Sequence, residues 1–345
     1  NMRYKDTLLK TLLGCLLLAT SGCSEGELAG TVLPDSGQGY LAIGGASVEE
    51  SSAASATDFT RTDAATPGVA TADDTLPIEI VLEQPTDQIG IFLQADPERG
   101  YAEAVTNKRY TYGVPIWTSE PHLMLGEQSA QLAAYYPYDA DGFAPKKVAL
   151  TSGAYAANKE FYYLPFRASR ISSSFHLKLR RAYSLVRFNL FAGEEDTDAG
   201  KGAYAGDGQV TAFAFTAPLI STGTLNLFTG AVTAGNTNVS FAANGTFTAG
   251  TPTAPYIMDF LIIPTDLSTL ADDASNVKFT LTVDGKEMKG SLTAAVFFGA
   301  EKRLAEGVKY EANIVIRPTG LEVGTLRVQD WEVVTKNDDT PLENK

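Results

Sequence analysis

The chain has 345 residues, of which 44 % are apolar and 20 % charged, and its net charge is −14. That length supports two domains of ordinary size or one large β domain, while the acidic balance excludes nucleic acid and anionic lipid surfaces, which need clustered Lys and Arg. Both cysteines, Cys15 and Cys23, lie within residues 1–25, so the body has no disulfide, no thiolate nucleophile and no cysteine-based metal site.

In chain order, Arg3, Lys5 and Lys10 precede an apolar run from Leu12 to Ala19. A basic segment followed by a short apolar one reads as a signal peptide, and the run is shorter than the ~20 residues a membrane span needs. Ser21 and Gly22 before Cys23 resemble a lipobox, in which signal peptidase cuts and the new N-terminal cysteine is acylated, although Thr20 stands where Leu is usual. The expected precursor is an outer-membrane lipoprotein with signal peptide 1–22 and lipidation at Cys23. An ordinary signal peptide is the alternative. Glu25 and Glu27 resemble the surface-export signal of Bacteroidales lipoproteins.

Residues 24–38 read as a Gly, Ser and Glu-rich tether, and 40–48 as one strand. Residues 49–75 lack an apolar period and read as a loop. Arg61 is the single basic residue between Lys10 and Arg99. Either it is a solvated arginine in a linker, or it is a point where a protease reaches extended backbone.

From Leu76 the period is two. Ile78, Ile80 and Leu82 alternate with Glu79 and Glu83, and Ile89, Ile91 and Leu93 repeat the pattern. The aromatic-rich segments Leu132–Tyr138 and Phe161–Phe166 complete an N-terminal β-sandwich over 76–167. A C-terminal sandwich, 168–320, opens with a strand near Phe175. Its other strands carry Val186, Phe188 and Leu190, then Val277 to Val283, then Tyr310 to Ile316. Tyr256–Ile263 is nearly continuous in apolar residues, as a central strand covered on both faces would be. Asp284-Gly285 marks a two-residue hairpin turn. No amphipathic helix stands out, so the fold class is all-β.

The tail, 321–345, changes parity: Leu321 and Val323, then Leu326 and Val328, then Trp331 and Val333. A one-residue shift turns an apolar set to the other face. The tail therefore reads as short strand pieces broken near Gly324 and Asp330.

Ala134-Tyr135-Tyr136-Pro137-Tyr138 resembles the AYYPY signature of fimbrillins, and Tyr310 to Trp331, with Thr319-Gly320-Leu321 and Asp330-Trp331, resembles the closing stretch of that family. The resemblance covers most of the chain. It implies a lipoprotein precursor with two tandem transthyretin-like β-sandwiches, exported to become part of an extracellular fimbrium. It also implies that an Arg-specific protease cuts the loop after the first strand, here at Arg61. The strand carrying Tyr40, Leu41 and Ile43 then leaves, and the C-terminal strands of another subunit fill the groove. Tip subunits of the family lack a donating tail, so this tail favours a stalk subunit.

The donor residues would be Leu321, Val323, Leu326, Val328, Trp331 and Val333. Burial of each is worth ~1.5–3 kcal/mol and each new main-chain hydrogen bond ~1 kcal/mol. The gross total, on the order of 10–20 kcal/mol before ordering costs, suffices for strand addition. The tail completing a sheet in its own subunit is the other reading.

Expected partners are other copies of the chain or related pilins, the maturation protease, and, if the chain is instead a tip or anchor adhesin or a glycan-binding surface lipoprotein, a host protein or glycan. The membrane is expected only through the precursor's lipid. No catalytic, metal or cofactor constellation is legible. His122 and His176 stand in no metal-binding spacing, no GxSxG occurs, and the calcium-loop fragment at Asp139-x-Asp141-Gly142 has Leu150 where the closing Glu would sit. Glu194, Glu195, Asp196 and Asp198 crowd one turn, read as solvated or as a weak calcium site.

Overall fold

A computed structural model describes residues 39–48, 80–197, 199–273, 276–329 and 331. Cys23, Arg61 and Val333 lie outside the described residues. The first ten strands are β1 (Ala42–Val48), β2 (Ile80–Val81), β3 (Gln88–Leu93), β4 (Val105–Gly113), β5 (Ile116–Thr118), β6 (Ala130–Tyr136), β7 (Val148–Thr151), β8 (Gly153–Ala154), β9 (Tyr162–Ala168) and β10 (Ser174–Arg181). They are followed by β11 (Ser184–Ala192), β12 (Gln209–Ile220), β13 (Thr222–Leu225), β14 (Val232–Ala234), β15 (Thr237–Thr248), β16 (Tyr256–Ile262), β17 (Thr265–Asp266) and β18 (Val277–Val283). The last are β19 (Lys286–Leu292), β20 (Arg303–Leu304), β21 (Lys309–Arg317), β22 (Gly320–Val323) and β23 (Arg327–Gln329). One short α-helix, α1 (Ala294–Phe298), occurs among the described residues. The chain is all-β, as its period-two patterning dictates.

The N-terminal sheet runs β10-β9-β6-β3-β4-β5-β1-β2, and β1 also pairs with β10. The sheet thereby closes on itself. Ile89, Ile91, Tyr110, Leu132 and Leu179 fill its interior. Its other face is also covered: Phe92, Ala133, Tyr135 and Tyr163 enter a second cluster with Leu150, Leu185, Leu227 and Ile263. Coverage on both sides explains why β3 is buried nearly throughout instead of alternating in and out.

In the C-terminal part, the sheet β22-β21-β11-β16-β8, with β23 also on β21, faces the sheet β15-β12-β18-β19. Phe188, Phe213, Phe215, Phe260, Phe279 and Phe297 meet between them. The rings of Phe188 and Phe215 lie 5.0 Å apart, edge to face, a geometry aromatic pairs favour. Thr293 Oγ1 accepts from Val296 N at 3.2 Å and caps α1, which brings Phe297 and Phe298 into this core. The β18–β19 hairpin turns on Asp284 and Gly285, both at positive φ (+48° and +74°), as its sequence predicts.

Pairing interleaves segments that the sequence places in separate halves. The strand expected to open the second half at Phe175 is β10, which pairs in the N-terminal sheet with β9 and β1. Conversely, β7 pairs with β13 and β8 with β16. Strand period gives faces but not partners, so this interleaving is not visible in the pattern.

Candidate strand-exchange site

β1 is bonded along both edges. One edge runs parallel to β10, from Ala42 opposite Ser174 to Val48 opposite Leu179. The other meets β5 at Ile43–Trp117 and then β2 at Ser47–Val81 and Val48–Ile80. Leu41 N donates to Leu123 O at 2.8 Å, and Leu82 N to Ala46 O at 2.8 Å. The phenol of Tyr110 donates to Leu41 O at 3.2 Å, and burial pushes its pKa up to about 12. Tyr40 stacks on His122, with ring centroids 4.3 Å apart.

Leu41, Ile43, Ala46 and Val48 all enter the N-terminal core although their numbers change parity. The register slips between Ile43 and Gly45, which leaves Gly44 as an extra residue. Such a bulge returns the later side chains to the same face. On the opposite face, the His176 ring occupies the space of a Cβ at Gly45, 2.3 Å from Nδ1, and its Nε2 lies 3.3 Å from Ser47 Oγ. Within the strand expected at 40–48, the sequence singles out Tyr40, Leu41 and Ile43; Ala46 and Val48, which enter the same core, and this glycine contact are not singled out. The doubled glycine after Ile43 is the available signal for the bulge.

The tail is divided where its parity changes. β22 pairs with β21 through Ile314–Val323 and Ile316–Leu321, and β23 through Tyr310–Val328. Between them Gly324 N donates to Asn313 O at 2.9 Å and Leu326 N to Phe297 O at 2.8 Å. Through this break Leu321, Val323, Leu326 and Val328 all reach the C-terminal core. Glu322 accepts from Lys201 Nζ at 2.5 Å and from Arg317 Nε at 3.1 Å, and these bonds, the Lys201 one foremost, lower its pKa. Trp331 leaves that core for the cluster of Tyr135, Leu185 and Ile263. Within this chain, then, the described part of the tail, to Gln329 and Trp331, packs on its own subunit.

Turning to the remaining polar candidates, Asp196 pairs backbone to backbone with Lys201 across a turn, and its Oδ1 accepts from Ala199 N at 3.0 Å. Asp198 lies outside the described residues. Among the described residues no three His, Cys, Asp or Glu side chains gather as metal ligands.

The fimbrillin-like family model matches residues 73–331. The chain belongs to the fimbrillin-like family. Solved structures share the fold of this fimbrillin-like chain. A candidate cell adhesion protein from Bacteroides uniformis superposes with a TM-score of 0.50 at 16 % identity, covering 72 % of this chain and 93 % of that one. Another, from Bacteroides ovatus, gives a TM-score of 0.50 at 14 % identity over 85 % of this chain and 98 % of its own. At such identities the likeness is one of fold. No curated protein sequence matches the chain.

Proposed function

We propose that this fimbrillin-like chain is a non-catalytic structural subunit of an extracellular fimbrium, made as a lipoprotein acylated at Cys23 and assembled by strand exchange. The observation that carries the reading is β1: a strand buried from Ala42 to Val48, closing a sheet by bonds along both edges. Its connection onward to β2 is the segment 49–79, which holds Arg61. Cleavage there leaves β1 held only by non-covalent contacts. Its departure opens a groove between β10 and β5 with unpaired main-chain groups on both sides, the template that strand addition requires. The occupant in the assembled fibre is the tail of the next copy, presenting Leu321, Val323, Leu326, Val328, Trp331 and Val333.

The test is to treat the chain from Ser24 onward with a trace of Arg-specific protease and run it unboiled on a denaturing gel. A ladder of stable oligomers, absent in Arg61→Ala, is expected. A cut product that stays monomeric overturns strand exchange. That outcome would favour a second reading, a tip or anchor subunit, for which the tail's packing on its own β21 already speaks.

A further inference from the structure

An open groove of about 400 Å³ lies between the turn that follows β6 and a 3-10 turn at Ala157–Lys159. Its volume falls in the roughly 300–1,000 Å³ range of small-molecule sites. Aromatic side chains line it: Tyr138, Phe143, Phe161 and Tyr183. The first three are partly exposed and are organised by buried Tyr135. Phe161 stacks on Tyr135 at 5.9 Å, Tyr138 at 6.3 Å, and Phe143 meets it edge-on at 4.7 Å. Polar side chains stand beside the rings: Asp139, Asn158, Lys159 and Glu160. Tyr183 is 7 % exposed. Its phenol oxygen accepts from Thr151 N at 3.3 Å, and the phenol keeps its own O–H as a donor.

We propose that this groove binds a neutral saccharide, a pyranose ring laid on the aromatic faces with its hydroxyls bonded to the polar rim. A pyranose offers an apolar C–H face to stack on a ring and a periphery of hydroxyls that both donate and accept. The groove supplies the complementary set: ring faces, an amide, carboxylates, an ammonium and a phenol. Charge selects among sugars. Two carboxylates against one lysine, in a chain of net charge −14, disfavour sialylated or sulfated glycans. A peptide strand is a poorer occupant. β7 does border the groove as an edge strand, but its Thr151 N–H is already engaged by Tyr183, and because alternate residues turn their main-chain groups toward β13, only Ala149 is left to pair outward.

The experiment uses the uncut full chain, so its result is independent of the assembly test. The chain is applied to an array of neutral and sialylated oligosaccharides, and hits are titrated by saturation-transfer NMR. Binding to neutral members is expected, weakened about tenfold by Tyr138→Ala, which removes a stacking face, and also weakened by Asn158→Ala at an exposed position. Ile171→Ala, exposed and outside the groove lining, should leave it unchanged. No binding to any neutral sugar, a preference for sialylated ones, or binding indifferent to both groove variants overturns the proposal.

Discussion

Gly90 on β3 and Tyr135 on β6 are register partners packed so closely that a Cβ on Gly90 would stand 1.9 Å from Tyr135 Cε1. The ring cannot retreat. It is fully buried against Phe92, Phe143 and Phe161, while its phenol donates to Asn107 Oδ1 at 2.5 Å and accepts from Asp139 N at 3.1 Å. Gly90→Ala is therefore an overpacking substitution, expected to cost about 1–3 kcal/mol, read as a lower denaturant midpoint at unchanged slope. Gly45→Ala meets a similar overlap with His176, but there the contact is with the outer ring atoms Nδ1 and Cε1 of an exposed side chain, not with a buried ring. Its loss should be smaller, and equal losses would refute this account.

The bulge at Gly44 makes a sharper prediction. Deleting Gly44 removes the extra residue and turns either Leu41 and Ile43 or Ala46 and Val48 away from the core. Loss of one such pair costs roughly 2–6 kcal/mol at about 0.8 kcal/mol per CH₂ and up to ~3 kcal/mol per large side chain. Unfolding midpoints of the deletion variant and the parent check this, and a deletion that leaves the midpoint unchanged would mean that β1 is not held in register.

Much of this is legible in the sequence, for physical reasons. The alternation in β18 and β21, the Asp284-Gly285 turn and the break at Gly324 are local signals, and each lies where the sequence places it. The Tyr135 motif was legible, but Gly90 opposite it was not, because cross-strand partners are set by topology. For the same reason the pattern places the Phe175 strand with the second half while β10 pairs with β9 and β1, and the groove beside Tyr138 gathers residues from segments that alternation treats separately. Residues 49–75 gave no period at all, so what β1 connects through could be named only by composition.

Trp331 ties the tail to the middle of the molecule. Its ring lies 4.3 Å from the Arg181 guanidinium carbon, with the Tyr162 ring 5.5 Å from the same carbon, and both Arg181 and Trp331 are buried. Trp331→Ala should cost about 3–5 kcal/mol, as large aromatic truncations do, with part of the loss coming from the cation–π contact. Trp331→Phe retains a ring and should recover much of it. Chemical denaturation of both variants is the measurement. A Trp331→Ala protein as stable as the parent would show that the tail does not rest on Arg181 in solution.

Buried phenols set the alkaline limit of the fold. Tyr110 and Tyr135 have pKa values pushed up to about 12, chiefly by burial, from 10.0 for a free phenol. Tyr136 is raised equally, by burial first and then by the Asp87 carboxylate, whose Oδ1 lies 3.4 Å from the phenol oxygen. Each group stays protonated in the folded chain at pH values where the unfolded chain has already released its proton. Between the two pKa values the unfolded state binds fewer protons, so stability falls as pH rises. Their contribution is complete below pH 10.0 and is lost as pH climbs toward about 12. Denaturant midpoints should hold steady to about pH 9 and then drop, and tyrosinate absorbance from these residues should appear in step with unfolding. Variants Tyr110→Phe and Tyr136→Phe should each flatten the fall. If these phenols ionised near pH 10.0 in a chain that stayed folded, they would not be shielded from water as their packing requires.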